Sequence, residues 1–199
     1  MRAKPCPAEV IEALQQEFRE AVLSQVEVNG QTRITVAREK IRDILAFLKH
    51  LDVCPFEMLS DITAHDQIQL KPDEPRFVVM YTLTSLTHNR RLVLRALVPE
   101  EDCRIDSSWG IYKTGKWTER EVYEMFGIRF EGHPNLKRLI TPDYFDEEEQ
   151  YPLRKEYPLR GIGDRYAFPV YDPEKELDLS KFGFDPAVEP RPRGALGRG

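Results

Sequence analysis

The stretch "RFVVMYTLTSLTHNRRLVLRALVP", Arg76 to Pro99, decides the fold. Its two apolar runs are rich in aliphatic and β-branched residues, which favour strands. In the second run two sets of side chains alternate along the chain: Leu92, Leu94, Ala96 and Val98 on one side, and Arg91, Val93, Arg95 and Leu97 on the other. The short linker "LTHN" between the runs makes the pair a predicted β-hairpin.

A second hairpin is predicted upstream, in "AVLSQVEVNGQTRITV". Its two β-prone runs are joined by Asn29-Gly30. Both central residues of such a turn need positive φ, which asparagine and glycine tolerate best. We therefore expect strands at 21–28 and 31–36.

Helices are predicted around these hairpins. Pro7 suits the first position of a helix, and the apolar residues that follow it at helical spacing are Ile11, Leu14 and Phe18. The segment 37–50 has an apolar stripe typical of an amphipathic helix, formed by Ile41, Ile44, Leu45 and Leu48. A strand is expected over part of 56–70, and a short helix near 107–114.

The order of these elements predicts the fold class. Strands come mostly in adjacent pairs, with helices between the groups. This pattern indicates an α+β fold, with a mixed or antiparallel sheet and helices on one face.

The composition changes after Phe130. The segment 131–199 holds 9 of the 15 prolines and 7 of the 11 glycines, and periodicity disappears. Aromatic residues persist there, whereas an ordinary disordered tail would lack them. We therefore predict an α/β core domain at 1–130, followed at 131–199 by a long extended C-terminal arm that becomes ordered against a partner.

Charge, hydropathy and cysteine content exclude several classes of protein. The net charge of −5 argues against binding to nucleic acid or to an anionic membrane surface. No apolar run approaches the ~20 residues of a membrane-spanning helix, and the N-terminus lacks the apolar core of a signal peptide. We therefore expect a cytoplasmic protein without a direct membrane span. The 3 cysteines are far apart and form no C-x-x-C pair, so neither a zinc ribbon nor an iron–sulfur loop is indicated.

The stretch "KWTEREVYEMFGIRFEGHP", 116–134, is the richest in chemistry. Thr118 and Glu121 match the S/T-x-x-E capping box, in which each side chain bonds the other's backbone N–H. Gly127 stands where a C-terminal glycine cap is expected. The capping signals at both ends predict a short helix at 119–126.

The two faces of this helix are predicted to differ. Its apolar side chains, Val122, Met125 and Phe126, should enter the core. The others should face outward: Glu119, Arg120, Tyr123 and Glu124. Arg120 and Glu124 are then expected to form a surface ion pair worth under ~1 kcal/mol.

His133 is the obvious candidate for chemistry. It follows Glu131-Gly132 and precedes a proline, so we expect it in a turn. No second histidine or cysteine stands at metal-ligand spacing, and acid–base catalysis needs an oriented partner and a pocket. "TGK" and "GIG" lack the sequence context of a phosphate or dinucleotide loop. The residues alone therefore predict no catalytic, cofactor-binding or metal site.

The residues "EREVYEMFGIRFEGHPNLKRLITPD", followed by "YPLRKEYPL", resemble the signature of the C subunit of bacterial respiratory complex I. That family is homologous to the mitochondrial 30-kilodalton subunit of NADH:quinone oxidoreductase. The resemblance covers roughly residues 117–160. The family generally has aspartate where Glu124, Glu156 and Asn135 stand, and Gly-His where this chain has Gln150-Tyr151.

The resemblance implies an α/β domain with an extended C-terminal arm. It implies a structural, non-catalytic subunit in the hydrophilic arm of a proton-translocating NADH:quinone oxidoreductase, without a cofactor of its own. The implied partners are the hydrogenase-like large subunit and the iron–sulfur subunits, and the FMN and iron–sulfur clusters belong to partner subunits. The implied location is peripheral, on the cytoplasmic side of the inner or plasma membrane.

Two other functions stay open. One is the equivalent subunit of a related assembly, either a membrane-bound hydrogenase or a quinone or phenazine reductase fed by ferredoxin or deazaflavin. The other is a free-standing small-molecule enzyme. Such an enzyme needs a pocket with convergent polar groups, which no motif here indicates.

The expected partner interface combines the helix, the turn and the start of the arm. In the arm, tyrosine and arginine repeat every three residues, which suits an extended strand in a groove, and both residue types often dominate interfaces. Arginine there is expected to bind partner carboxylates through forked hydrogen bonds. The predicted interface residues are Glu119, Arg120, Tyr123, Glu124, Glu131, His133, Tyr151, Arg154, Tyr157 and Arg160.

Overall fold

The computed structural model describes residues 4–142, 145 and 149–158. The described chain up to Tyr157 forms one compact unit. Most of the predicted arm, including Arg160, lies outside the described residues. The proposed division into a core and an arm at residue 130 therefore stays a prediction.

The described chain forms three α-helices, one 3₁₀ turn and seven strands. They are α1 (Ala8–Glu17), β1 (Val22–Val28), β2 (Gln31–Val36), a 3₁₀ turn (Arg38–Lys40), α2 (Ile41–Lys49), β3 (Met58–Asp66), β4 (Phe77–Ser85), β5 (Arg90–Val98), β6 (Arg104–Asp106), α3 (Gly115–Phe126) and β7 (Arg129–Glu131).

Five of these strands form one mixed sheet, in the order β1-β2-β5-β4-β3. The pairs β1–β2, β3–β4 and β4–β5 are antiparallel, whereas β2 and β5 run parallel. Both predicted hairpins are confirmed. The first turns at Asn29 (φ 53°) and Gly30 (φ 73°), as the sequence requires.

The hydrophobic core lies on one face of this sheet. Alternate residues of β4 and β5 point into it, among them Tyr81 and Leu94, which are opposite each other in the register. Apolar residues of all three helices join the same cluster, including Leu14 of α1, Leu45 of α2 and Phe126 of α3. The prediction of an α+β fold with helices on one face of a mixed sheet is confirmed.

The predicted helix near 107–114 is wrong. The chain there makes tight turns, in which the backbone N–H groups of Ile111 and Tyr112 both donate to the carbonyl of Ser108. The Tyr112 side chain is buried, and its hydroxyl donates to the carbonyl of Phe56 over 2.7 Å. This long-range contact fixes the segment without a continued helix.

A small second sheet carries the chain out of α3. Strands β6 and β7 pair in parallel, with Ile105 opposite Phe130. The N–H of Ser107 then donates to the carbonyl of Glu131 over 2.8 Å. This pairing holds the loop after β6 beside the turn after β7, so that both flank α3.

Candidate partner interface

Helix α3 begins earlier than the capping box predicts. It starts at Gly115 with Thr114 as its N-cap residue, and no side-chain cap is formed. Thr118 lies inside the helix, where its hydroxyl donates to the carbonyl of Thr114 over 3.2 Å. The predicted capping box is therefore wrong. The predicted C-terminal cap is confirmed, because Gly127 adopts a left-handed conformation with φ 79°.

Glu119 points into the protein, so the expectation that it faces outward is wrong. Its side chain is fully buried, and its two carboxylate oxygens accept from both hydroxyls of the pair Ser107 and Ser108, each over 2.6 Å. The N–H of Ser108 adds a third bond of 2.7 Å. Burial raises the pKa of Glu119, and these hydrogen bonds oppose the increase. Glu119 thus ties α3 to the loop that follows β6.

Gly115 makes this contact possible. A Cβ at this position would lie 2.6 Å from the hydroxyl of Ser108 and 2.8 Å from a carboxylate oxygen of Glu119. Real Cβ atoms do not approach other atoms so closely, so any other residue here would displace the Ser108 hydroxyl or the Glu119 carboxylate.

Glu124 is also fully buried, and it organises the loop that follows the turn at His133. The prediction that it faces outward is wrong as well. Its carboxylate accepts from three consecutive backbone N–H groups, those of Leu139 (2.7 Å), Ile140 (3.0 Å) and Thr141 (3.3 Å). Burial alone would raise the pKa of Glu124, but these hydrogen bonds outweigh it and lower the pKa. The carboxylate is therefore held as an anion inside the protein.

The predicted ion pair between Arg120 and Glu124 does not form. Arg120 instead donates to the backbone carbonyls of Lys137 (2.6 Å) and Arg138 (2.8 Å). Arg120 and Glu124 therefore hold the same loop through different backbone groups. Arg120 binds its carbonyls, whereas Glu124 binds its N–H groups.

The loop fixed in this way presents apolar side chains to solvent. Ile140 is 72% exposed and Leu139 is 38% exposed. Leu153, in the segment that packs beside α3, is 54% exposed. Apolar side chains on a loop held by so many hydrogen bonds are typical of a surface shaped for a partner.

The start of the predicted arm is bound to the domain itself. Arg154 donates from Nε to the carbonyl of Phe126 over 2.7 Å, and its guanidinium lies 4.3 Å from the centre of the Tyr151 ring. The N–H of Leu153 donates to the carbonyl of Met125 over 3.1 Å. We call residues 151–157 the strap. Contacts of Tyr151 and Arg154 with each other and with the end of α3 hold the strap in place. Tyr157 lies near Phe145, with 6.4 Å between ring centres.

A cluster of charges around the buried Arg76 holds the far end of the strap. Arg76 forms ion pairs with the fully buried Asp66 (2.7 Å), with Glu100 (2.5 Å) and with Glu156 of the strap. The N–H of Lys155 also donates to Asp66 over 3.0 Å. Burial would raise the pKa of Asp66, but the hydrogen bonds from Arg76 and from backbone N–H groups lower it.

The two residues predicted in the turn after β7 have different roles. Glu131 is exposed and lies 3.3 Å from Arg104. The ring of His133 links the turn to α3, because Nε2 donates to the carbonyl of Lys116 over 3.2 Å and Nδ1 accepts from the N–H of Asn135 over 3.1 Å. Both bonds are satisfied by one neutral tautomer, with hydrogen on Nε2.

Sequence reasoning missed several residues that build this region. Ser107, Ser108, Asp66 and Arg76 have no local pattern, because each finds its partner far along the chain. Gly127 is recognisable as a cap, but its lack of a side chain has a second use. A Cβ there would lie 2.6 Å from Nη2 of Arg154.

We found no metal centre in the part of the chain that the structure describes, where no group of three or more His, Cys, Asp or Glu side chains is placed to hold an ion. No helix among the described residues is long and apolar enough to span a membrane. One surface cleft of about 330 Å³ is lined by charged side chains. Its Arg38 is already bonded to Asp102, over 2.6 Å.

Comparison with known proteins identifies a family model that matches residues 34–162, that of the 30-kilodalton subunit of respiratory-chain NADH dehydrogenase. The C subunit of NADH-quinone oxidoreductase from Trichlorobacter lovleyi is 44% identical over 154 residues, which cover 77% of this chain and 90% of that protein. The equivalent C subunit from Geobacter sulfurreducens is 40% identical over 148 residues, covering 74% and 87%.

Two solved structures have a similar fold. A trypsin-resistant fragment of Nqo5 superposes with a TM-score of 0.56 at 32% identity, over 64% of this chain and 99% of the fragment. A chain of the membrane-bound sulfane sulfur reductase, an archaeal respiratory membrane complex, gives a TM-score of 0.62 at 22% identity, over 92% of this chain and 95% of that one. The second likeness concerns the fold alone.

Proposed function

The chain belongs to the family of the 30-kilodalton subunit of respiratory-chain NADH dehydrogenase, and on that premise we propose that it acts as a structural subunit that docks through the surface around α3. It is a subunit of respiratory complex I, the NADH-quinone oxidoreductase. The alternative of an equivalent subunit in a related assembly is not favoured, because the similar relatives carry the name of the NADH-quinone enzyme.

One observation carries the docking role, the way in which Glu124 is used. A buried anion that accepts three consecutive N–H groups has its oxygens occupied within the chain, so it is not free to bind a substrate. Its effect is to fix the loop that displays Ile140. A loop fixed before binding loses little conformational entropy on association, which favours a tight interface.

The interface that we propose combines direct contacts with the residues that position them. Glu119, Glu124, Tyr151 and Arg154 act by positioning, because each is bonded within the domain. Arg120 and His133 are also bonded within the domain, and at the surface they combine positioning with contact. The remaining members of the proposed interface are Arg120, Tyr123, Glu131, His133, Tyr157 and Arg160. Leu139, Ile140 and Leu153 supply its apolar part.

The finer parts of the function follow from the same premise. We propose that the partners are the hydrogenase-like large subunit and the iron–sulfur subunits of the complex. The FMN and the clusters then belong to those partners, and this chain supplies no catalytic residue. Its place is the hydrophilic arm, on the cytoplasmic side of the membrane, where it supports electron transfer from NADH to quinone.

A pull-down from solubilised membranes tests this proposal. The tagged chain should recover the large subunit and the iron–sulfur subunits by mass spectrometry. Deletion of its gene should abolish NADH:quinone activity in membranes, and a plasmid copy should restore it. The purified chain alone should be colourless and free of stoichiometric iron and flavin. Recovery of the chain without those subunits, or full activity in the deletion strain, contradicts the proposal.

A further inference from the structure

A row of aromatic and positively charged side chains runs along the N-terminal part of α3 and the turn before it. Lys113 lies 3.8 Å above the ring of Trp109. Lys116 lies between the two tryptophans, at 5.9 Å from Trp109 and 5.7 Å from Trp117, and Arg120 lies 5.3 Å from Trp117. We call these five residues the basic-aromatic patch.

The patch is accessible. Trp117 is 56% exposed, Lys113 and Lys116 are exposed, and Trp109 and Arg120 are half-buried. The chain contains only 2 tryptophans, and both are in the patch. An exposed tryptophan is costly to leave in water, and at interfaces this residue type is among those that contribute most to binding.

The positive charge of the patch is little compensated by glutamates of α3, because most of these point into the protein. Of the three, Glu119 and Glu124 are buried and bonded to the chain, so only Glu121 remains at the surface of the helix. Within the described residues, Lys113 and Lys116 form no ion pair, and their charges rest on aromatic faces. The patch is therefore cationic on a protein whose net charge is −5.

Hydrogen bonds tie the backbone of the patch to neighbouring segments of the domain. Glu119 ties the helix to Ser107 and Ser108, the two residues directly before Trp109. His133 binds the carbonyl of Lys116 over 3.2 Å. The guanidinium of Arg120 is fixed by two backbone carbonyls. The backbone at Lys116 and the guanidinium of Arg120 are thus positioned before any partner arrives.

We propose that the basic-aromatic patch binds a carboxylate-rich segment of a neighbouring subunit in the assembled complex. The proposal rests on the proposed function, since it requires that the chain belong to an assembly. Charge complementarity favours an acidic protein segment, because two exposed lysines lie close to the half-buried Arg120 around the same two tryptophan rings. The tryptophans supply apolar contact area between the cations, which excludes water from the charge pairs.

The experiment uses the intact complex, purified in detergent, and the free full-length chain. Lysine acetylation is followed by mass spectrometry in both samples. Lys113 and Lys116 should be acetylated at least about tenfold more slowly in the complex than in the free chain, as expected for a site that is more than ~90% occupied. Lys40 and Lys71 are matched controls, because they are exposed and lie elsewhere in ion pairs of the chain itself. Their rates should not change.

Zero-length carbodiimide crosslinking then identifies the occupant. This reagent joins a lysine amine to a carboxylate in direct contact, so Lys113 or Lys116 should be linked to Asp or Glu of another subunit. Equal acetylation of all four lysines overturns the proposal. So does protection without a crosslink, a crosslink to residues 159–199 of this chain, or protection that occurs only in membranes and indicates a lipid surface. If the chain does not purify with the complex at all, the proposed function fails instead.

Discussion

Arg154 lies directly over Gly127, with its Nη2 atom 2.6 Å from the position that a Cβ of residue 127 would take. The ring of Tyr151 lies nearly as close, at 2.7 Å. The strap can therefore pack against the end of α3 because residue 127 has no side chain. This contact explains why a helix cap and the path of the strap depend on the same residue.

Substitution Gly127→Ala should destabilise the protein and release the strap. The residue has φ 79°, which costs an alanine about 1–2 kcal/mol, and the new Cβ also displaces Arg154 and Tyr151. We expect a loss of free energy of unfolding larger than this backbone cost, measured by urea denaturation. Limited proteolysis within 151–157 should become faster.

Gly132→Ala is the matched control for this prediction. Gly132 has nearly the same φ, 80°, but a Cβ there would meet nothing within 4 Å. It should show the backbone cost alone and leave the strap as resistant as in the wild type. Equal destabilisation by the two variants would mean that the contact with Arg154 contributes nothing.

Substitution Glu124→Gln should loosen the loop at 139–141. The substitution replaces one carboxylate oxygen by an NH₂ group, which cannot accept a hydrogen bond. The loop N–H groups then lose bonds to a charged acceptor, which should lower the free energy of unfolding by about 1.5–3 kcal/mol. Because the folded pKa of Glu124 is lowered, its contribution to stability is present above its usual pKa of 4.5 and is lost as the pH falls below it. Urea denaturation at several pH values should therefore show the two proteins converging in acid.

Glu121→Gln serves as the control for the charge change. Glu121 is exposed on the same helix, so its substitution should alter stability by no more than about 0.5 kcal/mol. Amide hydrogen exchange at residues 139–141 should accelerate in Glu124→Gln only. Unchanged exchange there would refute the anchoring role.

Substitution Glu119→Gln should have the opposite dependence on pH. The folded pKa of Glu119 is raised by burial, so the carboxyl costs the wild type stability as the pH rises above the usual value of 4.5. Glutamine does not titrate. Its oxygen still accepts from Ser108, and its NH₂ donates to the hydroxyl of Ser107. Relative to the wild type, the variant should gain stability as the pH rises above 4.5, as thermal melting would show.

Glu119→Ala separates the hydrogen bonds from the charge. It leaves the buried N–H of Ser108 without its acceptor, which costs about 1–3 kcal/mol. We expect this variant to be less stable than Glu119→Gln at every pH. If Glu119→Ala and Glu119→Gln have the same melting temperature, the bonds to Ser107 and Ser108 do not hold the loop.

Substitution Ile140→Asp should block assembly without unfolding the domain. Ile140 is 72% exposed, so loss of its side chain should cost the fold little. Its N–H donates to Glu124 over 3.0 Å, so the added carboxylate is repelled by that anion, and urea denaturation must show that the variant stays folded. Loss of a true hot spot weakens binding by about 2 kcal/mol or more, which is roughly 30-fold. Native-gel assembly of the complex in a deletion strain is the measurement. Leu70→Asp is the control, because Leu70 is 80% exposed in the loop between β3 and β4. Assembly of both variants to the same extent would exclude the loop from the interface.

Local signals in the sequence predict the local parts of the fold. The turn at Asn29-Gly30 and the cap at Gly127 can be found because each depends on a positive φ that few residues tolerate. The parallel pairing of β2 with β5 gives no such signal. It joins Ile34 to Leu94 across the chain, and no short pattern records a contact of that separation.

The errors at the candidate interface have one physical cause. Sequence reasoning places Glu119 and Glu124 at the surface because charged side chains on a helix are rarely buried without partners. Their partners are Ser107, Ser108 and the N–H groups of residues 139–141, all in irregular segments. Arg154 likewise has an acceptor within the chain, the carbonyl of Phe126, which the sequence does not indicate. Nearly every residue carries the same backbone N–H and C=O groups, so the sequence does not show which of them will bind a given side chain.

The parallel pairing of β2 with β5 also constrains how the chain folds during synthesis. The hairpin of β1 and β2 leaves the ribosome before β5, yet the register pairs its Thr32 with Leu92. Roughly 60 residues separate these two, which corresponds to ~3–12 s of translation. Throughout that delay Ile34 and Val36, both fully buried in the finished domain, have no sheet to join. The nascent N-terminal hairpin is therefore the segment that we expect a ribosome-associated chaperone to shield.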